Sequence, residues 1–506
     1  MKLSAALFAL PVLLASSAFS QFKTEPLAGE GIWVDPRLEK IADGPQFRVT
    51  VWFEQQLLGD GEAFLRRAKE VDSIGRTKLR EQSIAALKSA SEEAQKAARA
   101  ELEKLEAVSN VEFHWIVNGF SCVTKKAGID GLKSVPGVRK IFFAGPARRF
   151  AGQPNLQSRP PAKTEAEAFD QEATEPLWYI EKLKVDRVWK ELGITGKGTL
   201  NVVHDGNFIF SPWIIGTVFH NPDDPRDGED NDGNGLVDDV NGFDFSRNTW
   251  DLTRMPLPKG RVNAGILHGH QCVGIICGRA GENRPVQPGI APDSNWAGVV
   301  AMQKIESAVQ WAVEHGADTY SMSFSRPNLA DYRSHWRKML EHGAFCGVHF
   351  VSGAGNFAQT QPIPLQMRVP EDIPHAVFAA AGVQRDLSRT PFSSQGPVEW
   401  KTDHYNDGEV EKPEVCAFNF QVPLLPPNGG KPKAGANGNS FAGPMFCGTI
   451  ALMLSANPEL KPWETREIII ETATDIAEEG FDFQTGHGLI NAFEAVKRAK
   501  ELAKKE

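Results

Sequence analysis

The sequence predicts an α/β fold in which helices cover both faces of a mostly parallel sheet, preceded by a small α+β domain. Two observations support this prediction. In the second part of the chain, short β-branched runs such as "TLNVV" and "GVHFVSGAG" alternate with helical patterns such as "KIESAVQWAVEHG". Alternating strands and helices over roughly 300 residues are typical of a parallel sheet with helical crossovers. Before that part, fewer strands surround one long helical stretch, which favours an α+β arrangement.

The domain boundaries follow from composition. Residues 21–150 predict the small domain: "FRVTVWF" (47–53) alternates like a strand, and the Ala/Glu/Lys/Arg-rich stretch 61–108 predicts a helical insertion bent near its start. Residues 151–177 are rich in Pro, Ala and Glu without an apolar period, which indicates an exposed linker suited to processing. Residues 178–500 then carry the alternating pattern.

The N-terminus predicts export. "MKLSAALFALPVLLASSAFSQ" starts with a basic residue and an apolar run, and Ala18 and Ser20 are small residues suited to cleavage before Gln21. A membrane anchor is the alternative, but Pro11 interrupts a run that is already short for a bilayer span. We therefore expect residues 1–20 to be a signal peptide, the protein to be secreted or periplasmic, and no membrane anchor to be present.

Charge and cysteine content restrict the possible partners. A net charge of −9 over 506 residues argues against nucleic acid or an anionic membrane surface, since both select clustered basic residues. Cys122 lies far before the other five cysteines, so a chain processed between them would keep an odd number. We expect most of the cysteines to be buried as small hydrophobic side chains.

Two segments contain candidate catalytic residues. "HGHQCVG" places His268 before an apolar stretch with helical character, and "GNSFAGP" places Ser440 before another. A serine hydroxyl is a weak nucleophile unless a base such as histidine accepts its proton, and free N–H groups at a helix N-terminus can stabilise an oxyanion. A serine that only caps a helix is the simpler alternative for either segment alone.

Taken in order, these and other segments resemble the subtilisin-like serine peptidase family from about Trp178 to Val496. The matching stretches include "GIAPDSNWAGV", "YSMSFS", "SGAGNFA", "TPFSSQG" and "GHGLINAFEAV". The resemblance implies a serine endopeptidase that acts on protein or peptide substrates and needs no cofactor for catalysis. The segment "WIVNGFSCVTKKAGIDGLKSVPGVRKI" resembles the family's inhibitory propeptide, which implies a precursor inhibited by its own N-terminal domain.

The resemblance also assigns roles to single residues. It implies that Ser440 is the nucleophile, His268 the general base and Asn356 a side-chain donor to the oxyanion. It implies that the substrate backbone pairs with the segments that contain Ser323, Ser325 and Gly353.

The catalytic acid is ambiguous. Gly198 and Gly206 are eight positions apart where the family has nine, so one residue is missing. Counting from Gly198 puts Asp205 at the acid position, whereas counting back from Gly206 puts His204 there. A deletion fits better in a turn than in a strand, which favours Asp205. The alternative with His204 predicts a catalytically impaired pseudopeptidase that binds peptides or partners.

An acidic loop, "DPRDGEDNDGNGLVDD", predicts structural calcium. Its carboxylates and amides recur at the first, third, fifth and ninth positions of a calcium loop. The candidate ligands are Asp230, Asp232, Asn234 and Asp238. The twelfth position is Asn241 rather than a bidentate Glu, and Asp239 is a possible substitute. A solvated acidic loop is the plain alternative, and a calcium-stabilised structural module is a third possible function.

Overall fold

The computed structural model describes residues 23–61, 63–147, 175–253, 265, 267–281, 284 and 286–503. The predicted signal peptide and all but the last three residues of the predicted linker lie outside the described residues. The description that follows concerns two units, one on either side of residues 148–174.

The first unit is a five-stranded sheet with helices packed against it. Its elements are β1 (Glu25–Pro26), β2 (Trp33–Val34), α1 (Pro36–Glu39), β3 (Phe47–Phe53), β4 (Gln55–Gln56), α2 (Ala63–Glu70), α3 (Arg76–Leu102), β5 (Val108–His114), β6 (Gly119–Thr124), α4 (Ile129–Lys133) and β7 (Val138–Pro146). The sheet order is β2-β7-β3-β6-β5, antiparallel except for the edge pair β2-β7.

The helical insertion of the first unit consists of two helices, α2 and α3, and the turn between them contains the predicted bend near Ser73-Ile74-Gly75. Gly75 is the N-cap of α3 and lies directly against the second unit. A Cβ at Gly75 would collide with the carboxylate of Glu459, and Thr77 donates to the same carboxylate through its hydroxyl. The turn between α2 and α3 is therefore also a contact with the second unit.

The second unit contains the main sheet. Its elements are β8 (Glu175–Pro176), α5 (Trp178–Lys182), α6 (Val185–Arg187), β9 (Leu200–His204), β10 (Gly242–Asp244), α7 (His268–Cys277), β11 (Val286–Gln287), β12 (Asn295–Val300), α8 (Ile305–Glu314), β13 (Thr319–Met322), α9 (Tyr332–Phe345), β14 (His349–Gly353), β15 (Val377–Val383), β16 (Val398–Lys401), β17 (Asn406–Val410), β18 (Val415–Phe418), β19 (Val422–Leu424), β20 (Lys433–Ala436), α10 (Asn439–Ala456), α11 (Pro462–Thr472) and α12 (Ala492–Ala503).

The main sheet has the order β10-β12-β9-β13-β14-β15-β18, and each of its strand pairs is parallel. Helices α7 and α10 pack against each other and against the sheet, and α8 and α9 form a second packed pair. The predicted α/β fold with a mostly parallel sheet is confirmed. Because β9, β13 and β14 are parallel neighbours, the residues that follow them meet at one edge of the sheet.

The interior of the two units is continuous. Trp52 and Phe142 of the first unit belong to the same buried apolar cluster as Trp336 and Met339 of α9. All six cysteines are buried with free thiols. Among the described residues, no helix is both long and apolar enough to cross a bilayer.

Candidate active site

Asp205 and His268 form the centre of the site. Asp205 follows β9 directly and extends its ladder, with its backbone N–H donating to Val299 O at 3.1 Å. One carboxylate oxygen accepts from Gly206 N at 2.7 Å, and the other lies 2.7 Å from His268 Nδ1. The side chains are 8% and 25% exposed, respectively. The negative charge of Asp205, opposed by burial, raises the pKa of His268 well above its usual value.

His204 lies on the opposite side of the strand. Its Nε2 is 3.0 Å from Ala301 O, and its Nδ1 is 3.1 Å from the hydroxyl of Tyr320. Its ring packs edge-on against Phe324. Burial lowers the pKa of His204 to about 4, so the ring is neutral at physiological pH. The structure thus brings Asp205, and not His204, to His268.

Ser440 is the second residue of α10 and lies beside the residue that follows β13. Its hydroxyl donates to Ser323 O at 3.5 Å, and the hydroxyl of Ser323 donates to Ser440 O at 3.0 Å. Within the described residues, Ser440 makes no hydrogen bond to His268, although the ring of Phe441 packs 5.8 Å from the imidazole. Bonds between a nucleophile and its base are commonly long in free enzymes and tighten when substrate binds.

Asn356 lies next to the start of α10. Its Oδ1 accepts from Asn439 N at 2.8 Å, which orients the amide and leaves Nδ2 as its donor. A Cβ placed on Gly438 would lie 3.6 Å from that Nδ2, so the amide adjoins the turn that leads into Ser440. Ser440 itself is in the first helical turn, where backbone N–H groups have no partner within the helix. The two donors suit an oxyanion.

The three residues predicted to bind substrate have different surroundings. Ser323 and Ser325 lie in the segment after β13, and Ser325 Oγ donates to Glu371 Oε1 at 2.6 Å. Gly353 ends β14, and a Cβ there would collide with Asn439 O. A glycine at position 353 is thus required by the close approach of α10, in addition to any contact with substrate.

Two side chains at the site were not among the sequence predictions. Cys272 lies one turn after His268, with its Sγ 3.6 Å from Asp205 Oδ2 and 3.7 Å from Ser323 Oγ. Its i+4 spacing from His268 on a helix was visible in the sequence. Glu371 contacts the site through Ser325, which lies 46 positions earlier in the chain, so no local pattern in the sequence indicated this contact.

The acidic loop is folded by its own carboxylates. Asp230 accepts from the backbone N–H groups of Asn234 and Gly235 at 3.1 and 2.9 Å. Asp238 has a positive φ of 60°, and its Oδ1 accepts from two backbone N–H groups of the loop at 2.9 Å. The carboxylates of Asp230 and Asp238 are therefore engaged with the loop backbone.

A different pair of carboxylates converges beside α8. A carboxylate oxygen of Asp232, a carboxylate oxygen of Asp239 and a ring nitrogen of His315 all lie within 4.8 Å of one another. Asn234 Nδ2 donates to both carboxylates, at 3.1 and 2.9 Å. Burial raises the pKa of Asp239, while hydrogen bonds from Asn221, Asn234 and Trp311 oppose the rise. Of the predicted ligands, the structure therefore brings Asp232 and Asn234 together with Asp239, the substitute candidate.

The sequence was compared with known families and proteins. A profile described as the Subtilase family of Peptidase_S8 matches residues 217–488. A probable subtilase-type serine protease of Deinococcus radiodurans is 25% identical over 338 residues, covering 61% of this chain and 42% of the relative. Bacillopeptidase F of Bacillus subtilis is 22% identical over 412 residues, covering 76% of this chain and 26% of the relative.

A third relative is named for its calcium dependence. A calcium-dependent protease of a Nostoc species is 24% identical over 288 residues, covering 49% of this chain and 41% of the relative. The chain thus spans less than half the length of each of these three relatives.

Proposed function

The chain belongs to the subtilase family of serine proteases, and on that premise we propose that it is a secreted endopeptidase made as an inactive precursor. It would hydrolyse peptide bonds by acyl transfer, with Ser440 as nucleophile, His268 as base and Asp205 as acid. The observation that supports this most is the 2.7 Å contact between His268 Nδ1 and Asp205 Oδ2. The buried position of His204, away from His268, does not favour the pseudopeptidase alternative.

The reaction follows from these groups. His268 accepts the hydroxyl proton of Ser440 as its oxygen attacks the substrate carbonyl, and Asp205 stabilises the imidazolium that forms. Asn356 Nδ2 and the backbone N–H of Ser440 donate to the oxyanion. His268 then gives the proton to the leaving amine, and water repeats the sequence on the acyl-enzyme.

The first unit would act as the intramolecular inhibitor until the linker is cut. Its separate sheet and its packing on α8 and α9 support this role: the backbone of Ile116 donates to Gln310 of α8, and the hydroxyls of Thr50 and Tyr332 are 3.3 Å apart. A domain with its own sheet that is joined through a Pro- and Ala-rich stretch is suited to removal by a single cut.

The acidic loop would hold structural calcium. Asp232 and Asp239 offer the hard oxygen ligands that calcium prefers, and the raised pKa of Asp239 marks a carboxylate that a cation would stabilise. The calcium-dependent relative supports the same proposal. The ion would neutralise the carboxylates and order the loop. It would take no part in acyl transfer, which Ser440, His268 and Asp205 would carry out.

The proposal is tested with a serine-directed fluorophosphonate probe on the purified full chain, before and after cutting of the linker. We expect the cut wild-type protein to be labelled at Ser440. We expect neither labelling nor self-cutting in Ser440→Ala, and greatly slowed labelling in Asp205→Ala. His204→Gln is the matched control, because it changes the neighbouring residue but not the contact with His268. Absence of labelling in folded, cut protein would exclude a serine peptidase.

A further inference from the structure

Two segments flank Ser440. Residues 323–326 follow β13 and residues 353–356 include the end of β14, so the neighbouring parallel strands deliver the two segments side by side. The first segment meets Ser440 at Ser323 O, and the second meets α10 through Asn356. An acyl group on Ser440 with its oxyanion towards Asn356 would therefore place the P1 side chain, which precedes the cut bond, between these segments.

Glu371 contacts both segments. Its Oε1 accepts from Ser325 Oγ at 2.6 Å, which joins it to the first segment. A Cβ on Gly355 would lie 3.0 Å from the same oxygen, so the carboxyl also touches the second segment. The residue is 0% exposed. Glu371 is thus a buried carboxyl in contact with both segments that flank Ser440.

One oxygen of the Glu371 carboxyl can accept further hydrogen bonds. Oε1 accepts from Ser325 and also from Arg368 N at 3.2 Å, whereas Oε2 is buried and has no hydrogen-bond partner in the part of the chain that the structure describes. Burial, with a contribution from the charge of Asp372, raises the pKa of Glu371 well above its usual value. A buried carboxyl without a partner for one oxygen is costly unless a ligand satisfies it.

The nearby arginines are engaged elsewhere. Arg333 donates to Asp372 at 2.9 Å, and the guanidinium of Arg368 packs 4.0 Å above the ring of Phe357. Neither is bonded through its side chain to Glu371. Neither arginine side chain therefore supplies a cation to Glu371, whose carboxyl lies beside the two segments that flank Ser440.

We propose that Glu371 is a specificity-determining residue that selects substrates with lysine or arginine at P1. The ammonium or guanidinium group would donate to Glu371 Oε2, while Ser325 and the backbone of Arg368 hold Oε1 in place. This inference rests on the proposed peptidase function and adds its substrate class.

The test uses peptide substrates that differ in one residue, lysine or norleucine at P1, because norleucine keeps most of the lysine stem without its charge. We expect the wild-type protein to have a kcat/KM at least about tenfold higher for lysine. Glu371→Gln, which keeps the shape and removes the charge, should lower the lysine-to-norleucine ratio on the order of 30-fold. Asp372→Asn is the matched control, since it removes the adjacent buried charge but should change the ratio less than about threefold.

Three outcomes would overturn the assignment. They are a wild-type preference for norleucine, an unchanged ratio in Glu371→Gln, and an equal loss in both variants. The wild-type ratio needs no variant, so it decides the question even if Glu371→Gln does not fold.

Calorimetric binding of the same peptides to Ser440→Ala separates this inference from the proposed function. Tighter binding of the lysine peptide, without probe labelling of the wild-type protein, would keep the pocket and exclude the peptidase. Probe labelling without any lysine preference would keep the peptidase and exclude the pocket.

Discussion

The active edge of the main sheet and the helical face that carries the first unit differ in how their polar groups are bound. At the edge, the Ser440 hydroxyl has one long bond of 3.5 Å and Glu371 Oε2 is unbonded within the described residues. At the helical face, Trp52 Nε1 donates to His335 Nδ1 at 2.9 Å, and His335 Nε2 lies 2.9 Å from Glu306 Oε1. The helical face also holds a buried oxygen that is unbonded within the described residues, Glu306 Oε2, but Trp52 and His335 there are bonded to each other across the two units. The edge differs in that the bond of the Ser440 hydroxyl is long, which leaves the hydroxyl able to meet a substrate.

The same contrast holds for charge. Arg76 at the start of α3 donates to Asp318 at 2.6 Å and to Gly347 O at 3.0 Å, and both side chains of the ion pair are about nine-tenths buried. Lys338 of α9 donates to the carbonyl oxygen of Leu58 at 2.9 Å. Removal of one partner from such a pair leaves a buried charge without compensation. The resulting loss of stability is larger than the net stabilisation that the intact pair provides. Substitutions at the two regions should therefore affect different properties.

The largest effect is expected at the edge. Asp205→Asn should lower kcat about 10⁴-fold, which corresponds to an activation barrier higher by about 5.5 kcal/mol. The reason is that His268 loses the carboxylate that orients its ring and stabilises its protonated form. The raised pKa of His268 should also fall, so the acid limb of kcat/KM against pH should move to lower pH. Steady-state kinetics with a peptide substrate measure both. A kcat within tenfold of wild type would contradict the role of Asp205.

The next largest effect is expected at the helical face. Arg76→Met should lower the free energy of unfolding by about 3 kcal/mol, because Asp318 stays buried without its partner. Urea unfolding of the uncut chain in a Ser440→Ala background measures it. Arg66→Met is the matched control: Arg66 pairs with Glu25 but is half exposed, so its loss should cost less than about 1 kcal/mol. An equal decrease in the free energy of unfolding in both variants would show that the buried pair stabilises the protein no more than the exposed pair does.

Calcium should have an effect of similar or smaller size. Calcium at about 100 times its dissociation constant should stabilise the folded protein by about 2.7 kcal/mol, and a chelator should reverse this. Asp239→Asn should abolish the difference, which thermal unfolding with and without calcium measures. Asp238→Asn should keep most of it, because its carboxylate binds the loop backbone. If Asp238→Asn abolished the calcium effect and Asp239→Asn kept it, Asp238 would be the ligand and Asp239 would not.

The smallest effect concerns pH at the helical face. His342 is buried and neutral: its Nδ1 donates to Ile116 O at 2.5 Å, its Nε2 accepts from Leu58 N at 3.2 Å, and burial lowers its pKa to about 3. Below pH 6.5 the unfolded chain gains a proton that the folded chain does not, so stability falls as the pH decreases. From pH 7 to 5 we expect a loss of about 2 kcal/mol from this residue.

The comparison that checks this is urea unfolding at both pH values, again in the Ser440→Ala background. His342→Gln removes the titrating group, so the loss between pH 7 and 5 should shrink by that amount. An equally large loss in the variant would assign the acid sensitivity to other residues.

The difference between the two regions also explains which parts of the site the sequence could predict. Ser440 and His268 each begin an apolar helix within a recognisable segment, so local pattern was sufficient to nominate them. The choice between His204 and Asp205 depended on which strand face turns towards α7, and that is decided by the pairing of β9 with β12 and β13. Glu371 lies in a polar stretch, "RVPEDIP", that carries no local signal of a cleft.

The acidic loop shows the same limit on a smaller scale. Its composition predicted a cluster of carboxylates, and the cluster exists. Regular spacing nominated Asp238, but the left-handed backbone at Asp238 turns its carboxylate to the loop backbone, and Asp239 joins Asp232 beside α8. The local backbone and the contact with α8, rather than the spacing alone, thus indicate which carboxylates converge.

The sequence by itself determined the α/β fold with its mostly parallel sheet, since periodicity and residue type act over short stretches of chain. Only the tertiary structure decided which of two adjacent residues meets His268, which carboxylates converge in the acidic loop, and that Glu371 contacts both segments beside Ser440. The physical reason is that these three outcomes depend on side-chain direction across strand pairs and turns. That direction is set by contacts between residues far apart in the chain.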